Sequence, residues 1–90
     1  MQYEWDENKR QTNLKKHGFD FADAWIVLEN EMSVTIDDAK HSQVEHRMMT
    51  IGLYDNITCV VIIHTDRNGK IRIISFRHAN KKEEALLWQS

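Results

Sequence analysis

Two apolar segments joined by Asn68-Gly69 constrain the fold of this chain more than any other feature. Asn-Gly favours the two-residue turn of a β-hairpin, because both turn positions need a positive φ. The segment before the turn, Ile57 to Thr65, is apolar on both faces, and Lys70 to Phe76 is expected to pair back onto it. Since a strand that is apolar on both faces is covered on both sides, we predict a central strand in a sheet.

Helix signals precede the predicted sheet. Asp6 is suited to cap a helix that runs to about His17, and Gly18 is the expected left-handed stop. Asp20 is then the expected N-cap of a second helix, in which a helical spacing of apolar residues predicts a buried face. The members of that face are Phe21, Ala24, Trp25 and Leu28, and we expect them to lie in the core.

The remaining elements complete the architecture. Strands are predicted at Gln2 to Trp5, Met32 to Asp37 and His46 to Leu53, with a polar loop at Ala39 to Gln43. Asn80 and Glu83 form the pattern of a capping box for a last helix that ends near Trp88. This order predicts an α+β fold, a small antiparallel sheet with two N-terminal helices and one C-terminal helix packed on it.

Length and composition favour one small folded domain, residues 1–90. No apolar run approaches the ~20 residues of a membrane span, and the N-terminus has no apolar signal core. The single cysteine, Cys59, cannot form an intramolecular disulfide, which fits a reducing compartment. We therefore expect a cytoplasmic protein without membrane contact.

Charge is polarised along the chain although the formal net charge is only −2. Residues 20–38 contain six acids and no Lys or Arg, whereas residues 66–82 contain six Lys or Arg and one acid. A near-neutral total disfavours a generic nucleic-acid binder. The asymmetry instead indicates a local anion site near the basic segment, and either solvent or a basic partner segment on the acidic one.

Three segments together resemble the BrnT family of small ribonuclease toxins from bacterial type II toxin–antitoxin systems. They are YEWDENKRQTNLKKHGFDF (3–21), HSQVEHRMMTIG (41–52) and HTDRNGKIRIISFRHANKKE (64–83). The resemblance implies a RelE-like fold, RNA cleavage without a metal or other cofactor, and inhibition by a co-encoded ribbon-helix-helix antitoxin. Operator DNA is then expected to be bound only through the antitoxin.

RNA cleavage of this kind needs a base for the 2′-hydroxyl, cations for the developing phosphoryl charge, and an acid for the leaving oxygen. We expect these roles to fall to Arg77, His17, Arg67, Glu83 and His78. Each has a structural alternative. Arg77 could pair with a carboxylate of the same chain, His17 could cap a helix, Glu83 could complete the capping box, and Arg67 and His78 could be solvated loop residues.

A second set of residues is expected to bind RNA without taking part in the chemistry. Its members are Lys16, Arg47, Arg72, Lys81, Lys82 and Trp88. The period of two in a strand puts Arg72 on the opposite sheet face from Ser75 and Arg77, so the two arginines cannot serve one site unless the strand is strongly twisted or bulged. The histidine spacing matches no zinc pattern, so no metal site is predicted.

A second function remains open. The chain could be a non-catalytic partner of the antitoxin that acts as a transcriptional co-repressor. The near-neutral charge and the acidic Glu84 in the last helix favour that alternative slightly.

Overall fold

The computed structural model describes residues 2–38 and 45–89, so the predicted loop at 39–43 lies outside the described residues. Five strands form one sheet in this part of the chain: β1 (Tyr3–Trp5), β2 (Val34–Asp37), β3 (Met48–Leu53), β4 (Cys59–Arg67) and β5 (Lys70–His78). Their spatial order is β1-β5-β4-β3-β2. The strand that was predicted to be central is central, and residues 60–65 are all buried.

Helices cover both faces of the sheet, and the α+β prediction is confirmed. Helix α1 (Glu7–His17), a 3₁₀ turn (Phe21–Asp23) and the short helix α2 (Trp25–Leu28) precede β2, and α3 (Lys81–Gln89) follows β5. Helix α1, the 3₁₀ turn and α2 cover one face of the sheet, with a core around Phe21, Val27 and Phe76. Helix α3 covers the other face, whose core is built around Ile51, Val61, Ile63 and Leu87.

Strand β1 adds to the sheet in parallel, beside β5, with Tyr3 opposite Ile71. The other strand pairs are antiparallel, as predicted. The hairpin turn also has the predicted geometry, since Asn68 and Gly69 have φ values of 53° and 79°. These positive angles are those of the turn that matches the twist of two paired strands.

A β-bulge in β5 changes which side chains share a face. Ile63 pairs with Ser75, but the next residue, His64, pairs with Ile73, so Ile74 is an extra residue. Ile74 and Ser75 both line the face that α3 covers. Arg72 and Arg77 therefore lie on the same face and not on opposite faces as the period of two predicts, because the strand has the bulge that was named as an exception.

The second helix is shorter and less regular than predicted. Asp20 caps it, since its carboxylate accepts a hydrogen bond from the Ala22 N–H at 2.9 Å. The first turn is 3₁₀, however, and three residues per turn rotate the following residues relative to an α-helical phase. Trp25 is consequently 50% exposed and Val27 is fully buried, so the prediction of Trp25 as a core residue is wrong.

Candidate active site at the end of strand β5

A buried asparagine joins helix α1 to strand β5. The Asn13 side-chain amide donates to the carbonyls of Phe76 at 2.8 Å and Phe19 at 3.1 Å, and its oxygen accepts from the Phe76 N–H. Asparagine is a poor helix former, so its place inside α1 is a signal of such a role. These three hydrogen bonds of Asn13 were not predicted from the sequence. They fix the second half of α1 beside the last residues of β5.

His17 ends α1 at this junction, and Gly18 follows it with a φ of 81° and an N–H that bonds to the Leu14 carbonyl. The half-buried imidazole has a lowered pKa, chiefly because burial disfavours its charged form. Electrostatic interactions with Lys16, Arg77 and His78 lower the pKa of His17 further. His17 of α1 is thus close enough to Arg77 and His78 of β5 for them to affect its pKa.

Arg77 is held by a carboxylate at the start of α3. Its Nη1 and Nη2 donate to the two Glu83 carboxylate oxygens at 2.8 and 2.9 Å, and Nη1 also donates to the His78 carbonyl. This ion pair lowers the pKa of Glu83 below its usual range and raises that of Arg77. Arg77 therefore forms the ion pair within the chain that the sequence analysis gave as the alternative to a role in the chemistry.

Glu83 has a second function at the helix start. One of its oxygens accepts from the Asn80 N–H at 2.9 Å, and the Asn80 side chain accepts from the Glu83 N–H at 2.8 Å. The predicted capping box is confirmed. Because a single buried carboxylate caps α3 and grips Arg77, the arginine is fixed relative to both β5 and α3.

His78 lies on the opposite sheet face from Arg77, beside an aromatic stack. Phe19 stacks on Phe76 with ring centroids 4.7 Å apart, and the His78 ring meets Phe19 edge-on at 4.8 Å. The residue as a whole is exposed. Because His78 is the last residue of β5, Arg77 and His78 lie where the strand ends, and both act electrostatically on His17.

A cleft of about 360 Å³ begins at Arg77 and crosses the sheet toward β3. Ser75, Arg47 and the buried Asp38 also line it, above a floor that includes Ile63. Arg47 lies 3.7 Å from the Glu45 carboxylate. Asp38 contributes to the raised pKa of Arg77 through its negative charge. Its part in this cleft was not predicted, since it was assigned to an acidic surface.

The structure brings some of the predicted residues together and separates others. Near the end of β5, Lys16, Arg77 and His78 are close enough to His17 to lower its pKa, and Glu83 binds Arg77. Arg47 lies across the cleft. Lys81 and Lys82 are exposed in the first turn of α3, next to Glu83. Arg72 shares the face of Arg77 but is bound to Glu4 of β1 at 2.9 Å.

Two predicted site residues lie elsewhere. Arg67 ends β4 beside Lys70, whereas Arg77 pairs with Val61, which is six residues away along the strand and roughly 20 Å distant. The prediction that Arg67 joins Arg77 in one site is not supported by this geometry. Trp88 lies at the far end of α3 and lines a separate groove with Leu53 and Leu87, not the cleft beside Arg77.

No group of three or more His, Cys, Asp or Glu residues in the described ranges is arranged to hold a metal ion. His46 instead lies 3.0 Å from Asp37. None of the described helices is long and apolar enough to span a membrane.

The fold and the site define a small α+β protein that presents Arg and His side chains at one end of its sheet. A family model described as the ribonuclease toxin BrnT of type II toxin–antitoxin systems matches residues 5–83. The chain belongs to this family, which confirms the resemblance seen in the sequence.

One solved structure supports the same assignment. The crystal structure of the Brucella abortus ribonuclease toxin BrnT is 32% identical to this chain, with a TM-score of 0.70. The match covers 90% of this chain and 99% of the Brucella chain. No curated protein sequence matches the chain.

Proposed function

We propose that this toxin is a metal-independent endoribonuclease whose active site lies at the end of β5. The observation that carries the proposal is the arrangement at the end of β5, where both oxygens of Glu83 hold Arg77 next to His78 and near His17 of α1. A neutral imidazole surrounded by cations suits RNA cleavage, because it can accept a proton while the cations bind the phosphate.

His17 is the proposed base that removes the proton from the 2′-hydroxyl group. Burial, and to a lesser extent Lys16 and Arg77, lower its pKa, which favours the unprotonated imidazole, and the same two cations attract the RNA phosphates. The 2′-oxygen then attacks the adjacent phosphorus and forms a 2′,3′-cyclic phosphate. The bond from phosphorus to the 5′-oxygen breaks, and His78, the second imidazole, donates a proton to that oxygen.

Arg77 is the proposed stabiliser of the charge that develops on the phosphoryl oxygens. Three of its five N–H groups bond to Glu83 and to the His78 carbonyl. The other two have no hydrogen-bond partner among the described residues, and the side chain is 30% exposed. Glu83 is therefore a positioning residue in this mechanism, since it fixes the guanidinium before RNA binds.

The rest of the RNA contacts surround this centre. Lys16, Lys81 and Lys82 are exposed beside it, and Arg47 borders the cleft. Cations of this kind bind the RNA backbone without selecting a sequence. In the cell, cleavage would inhibit translation in the cytoplasm. A ribbon-helix-helix antitoxin would neutralise the toxin and would itself carry the complex to operator DNA.

Cleavage by the purified toxin in the presence of EDTA tests the proposal. We expect unchanged activity, and products with a 2′,3′-cyclic or 3′-phosphate and a 5′-hydroxyl group. Loss of activity in EDTA that magnesium restores would contradict the mechanism. A pure, folded protein that cleaves no RNA, with or without magnesium, would favour the co-repressor alternative.

A further inference from the structure

A second concave surface lies at the C-terminal end of α3 and has no part in the proposed mechanism. This groove, of about 650 Å³, is bordered by Trp88 and Leu87 of α3, Leu53 of β3, and the turns at residues 30–34 and 55–56. We call it the Trp88 groove. Glu83 of the cleft and Leu87 of the groove are four residues apart on α3, or roughly 6 Å along the helix axis.

Large apolar side chains are unusually exposed around the Trp88 groove. Trp88 and Met32 line the groove and are 64% and 76% exposed, and Ile57, which does not line it but follows the lining residue Asn56 in the chain, is 86% exposed. These are the three most exposed large hydrophobic residues in the described part of the chain. Single exposed hydrophobics need no explanation, but a group at one groove is typical of a protein-binding surface.

The charge at the groove selects the kind of partner. Two carboxylates, Glu31 and Asp55, lie on its border, and none of the described residues that line it is Lys or Arg. This arrangement repels the phosphates of RNA and attracts cations. The occupant that fits is therefore a protein segment with apolar side chains on one face and Lys or Arg beside them.

We propose that the Trp88 groove binds a cationic amphipathic segment of the antitoxin, with Trp88 as the main anchor. The proposal relies on the antitoxin partner that membership of a toxin–antitoxin family implies, and not on the ribonuclease mechanism. Because the groove and the cleft lie at opposite ends of one short helix, a segment that is anchored at Trp88 can continue over α3 and cover Arg77.

Two pairs of variants test the groove, with the purified antitoxin encoded beside the toxin gene as the probe. Trp88→Ala is compared with Trp25→Ala, since Trp25 is 50% exposed and belongs to α2 on the other sheet face. Glu31→Lys is compared with Asp66→Lys, an exposed carboxylate near the hairpin turn. Affinity is measured by calorimetry at low and high salt, with circular dichroism as the check on folding.

We expect Trp88→Ala to weaken binding on the order of tenfold or more, as for a buried interface tryptophan, and Trp25→Ala to bind like wild type. Glu31→Lys should weaken binding severalfold at low salt, and the effect should shrink as salt is raised. Asp66→Lys should have no such effect. If the toxin cleaves no RNA but the four variants show these antitoxin affinities, the ribonuclease proposal is contradicted and the groove proposal is not.

Three results would overturn the groove proposal. The first is wild-type antitoxin affinity in Trp88→Ala, and the second is an equal loss in the two tryptophan variants. The third is a wild-type toxin that sediments as a dimer and a Trp88→Ala toxin that sediments as a monomer, because the groove would then bind a second copy.

Discussion

The two ends of the β4–β5 hairpin carry the same kinds of cationic residue in different surroundings. At the turn, Arg67 and Lys70 are exposed, and their side chains form no ion pair with a described residue. At the other end, Arg77 is held by both oxygens of Glu83 and lies near His17 and Asp38. An arginine becomes a candidate catalytic group when neighbouring elements fix its position close to other functional side chains, and Arg77 meets this condition through Glu83 of α3 and its proximity to His17 of α1.

The largest expected effect separates these two arginines. Arg77→Ala should lower the cleavage rate by roughly two orders of magnitude or more, the cost of removing one preorganised donor to a developing charge. Arg67→Ala, the matched change at the turn, should lower it severalfold at most. Both rates are measured with purified protein on one RNA substrate under single-turnover conditions.

Circular dichroism of the two variants is the control for folding. Equal rates in the two variants would contradict the assignment of Arg77. An Arg77→Ala protein that does not fold would show that the ion pair with Glu83 is chiefly structural, and Arg77→Lys would then serve as the second variant.

The ion pair itself should contribute to stability. Glu83→Gln keeps a side-chain oxygen for the capping box but removes the negative charge that binds Arg77. We expect the free energy of unfolding to fall by about 1–3 kcal/mol at neutral pH. The pKa of Glu83 is lowered in the folded protein. Its stabilising contribution is therefore present above the unfolded pKa of about 4.3 and is lost as the pH falls through the lower folded value.

Urea unfolding at neutral and acidic pH measures this contribution. Glu84→Gln is the control, because Glu84 is exposed one residue further along α3 and should change stability by less than about 0.5 kcal/mol. If Glu83→Gln remains less stable than wild type by the same free energy at acidic pH, the carboxylate charge is not the cause of the difference.

The smallest expected effect is a shift in pH dependence. Lys16→Gln removes one of the charges that lower the pKa of His17, so the pKa should rise. Since the proposed base must be unprotonated, the acidic limb of kcat/KM should move to higher pH. Lys15→Gln should leave it in place, because Lys15 is not among the charges that act on His17.

Cleavage rates from about pH 5 to pH 8, the range in which histidine titrates, measure the shift. A limb that moves to lower pH in Lys16→Gln, or that moves equally in both lysine variants, would argue against His17 as the base.

Features with a local cause were predicted from the sequence. The Asn68-Gly69 turn, the cap at Asp6, the stop at Gly18 and the capping box at Asn80 and Glu83 are all present. Each depends on residues within one or two turns of chain, so composition and spacing are enough to specify it. The central position of β4 followed from its apolar faces for the same reason.

Features that depend on distant residues were decided by the tertiary structure. The bulge at Ile74 put Arg72 on the face of Arg77, and a 3₁₀ turn exposed Trp25. The hydrogen bonds of Asn13 to Phe76 span 63 residues of sequence. A local sequence pattern does not predict which residues are in contact across such a separation, because these contacts depend on how α1 and α3 pack on the sheet. The sequence by itself therefore determined most of the elements and the family, and packing determined that Arg77, His17 and His78 lie near one another at the end of β5.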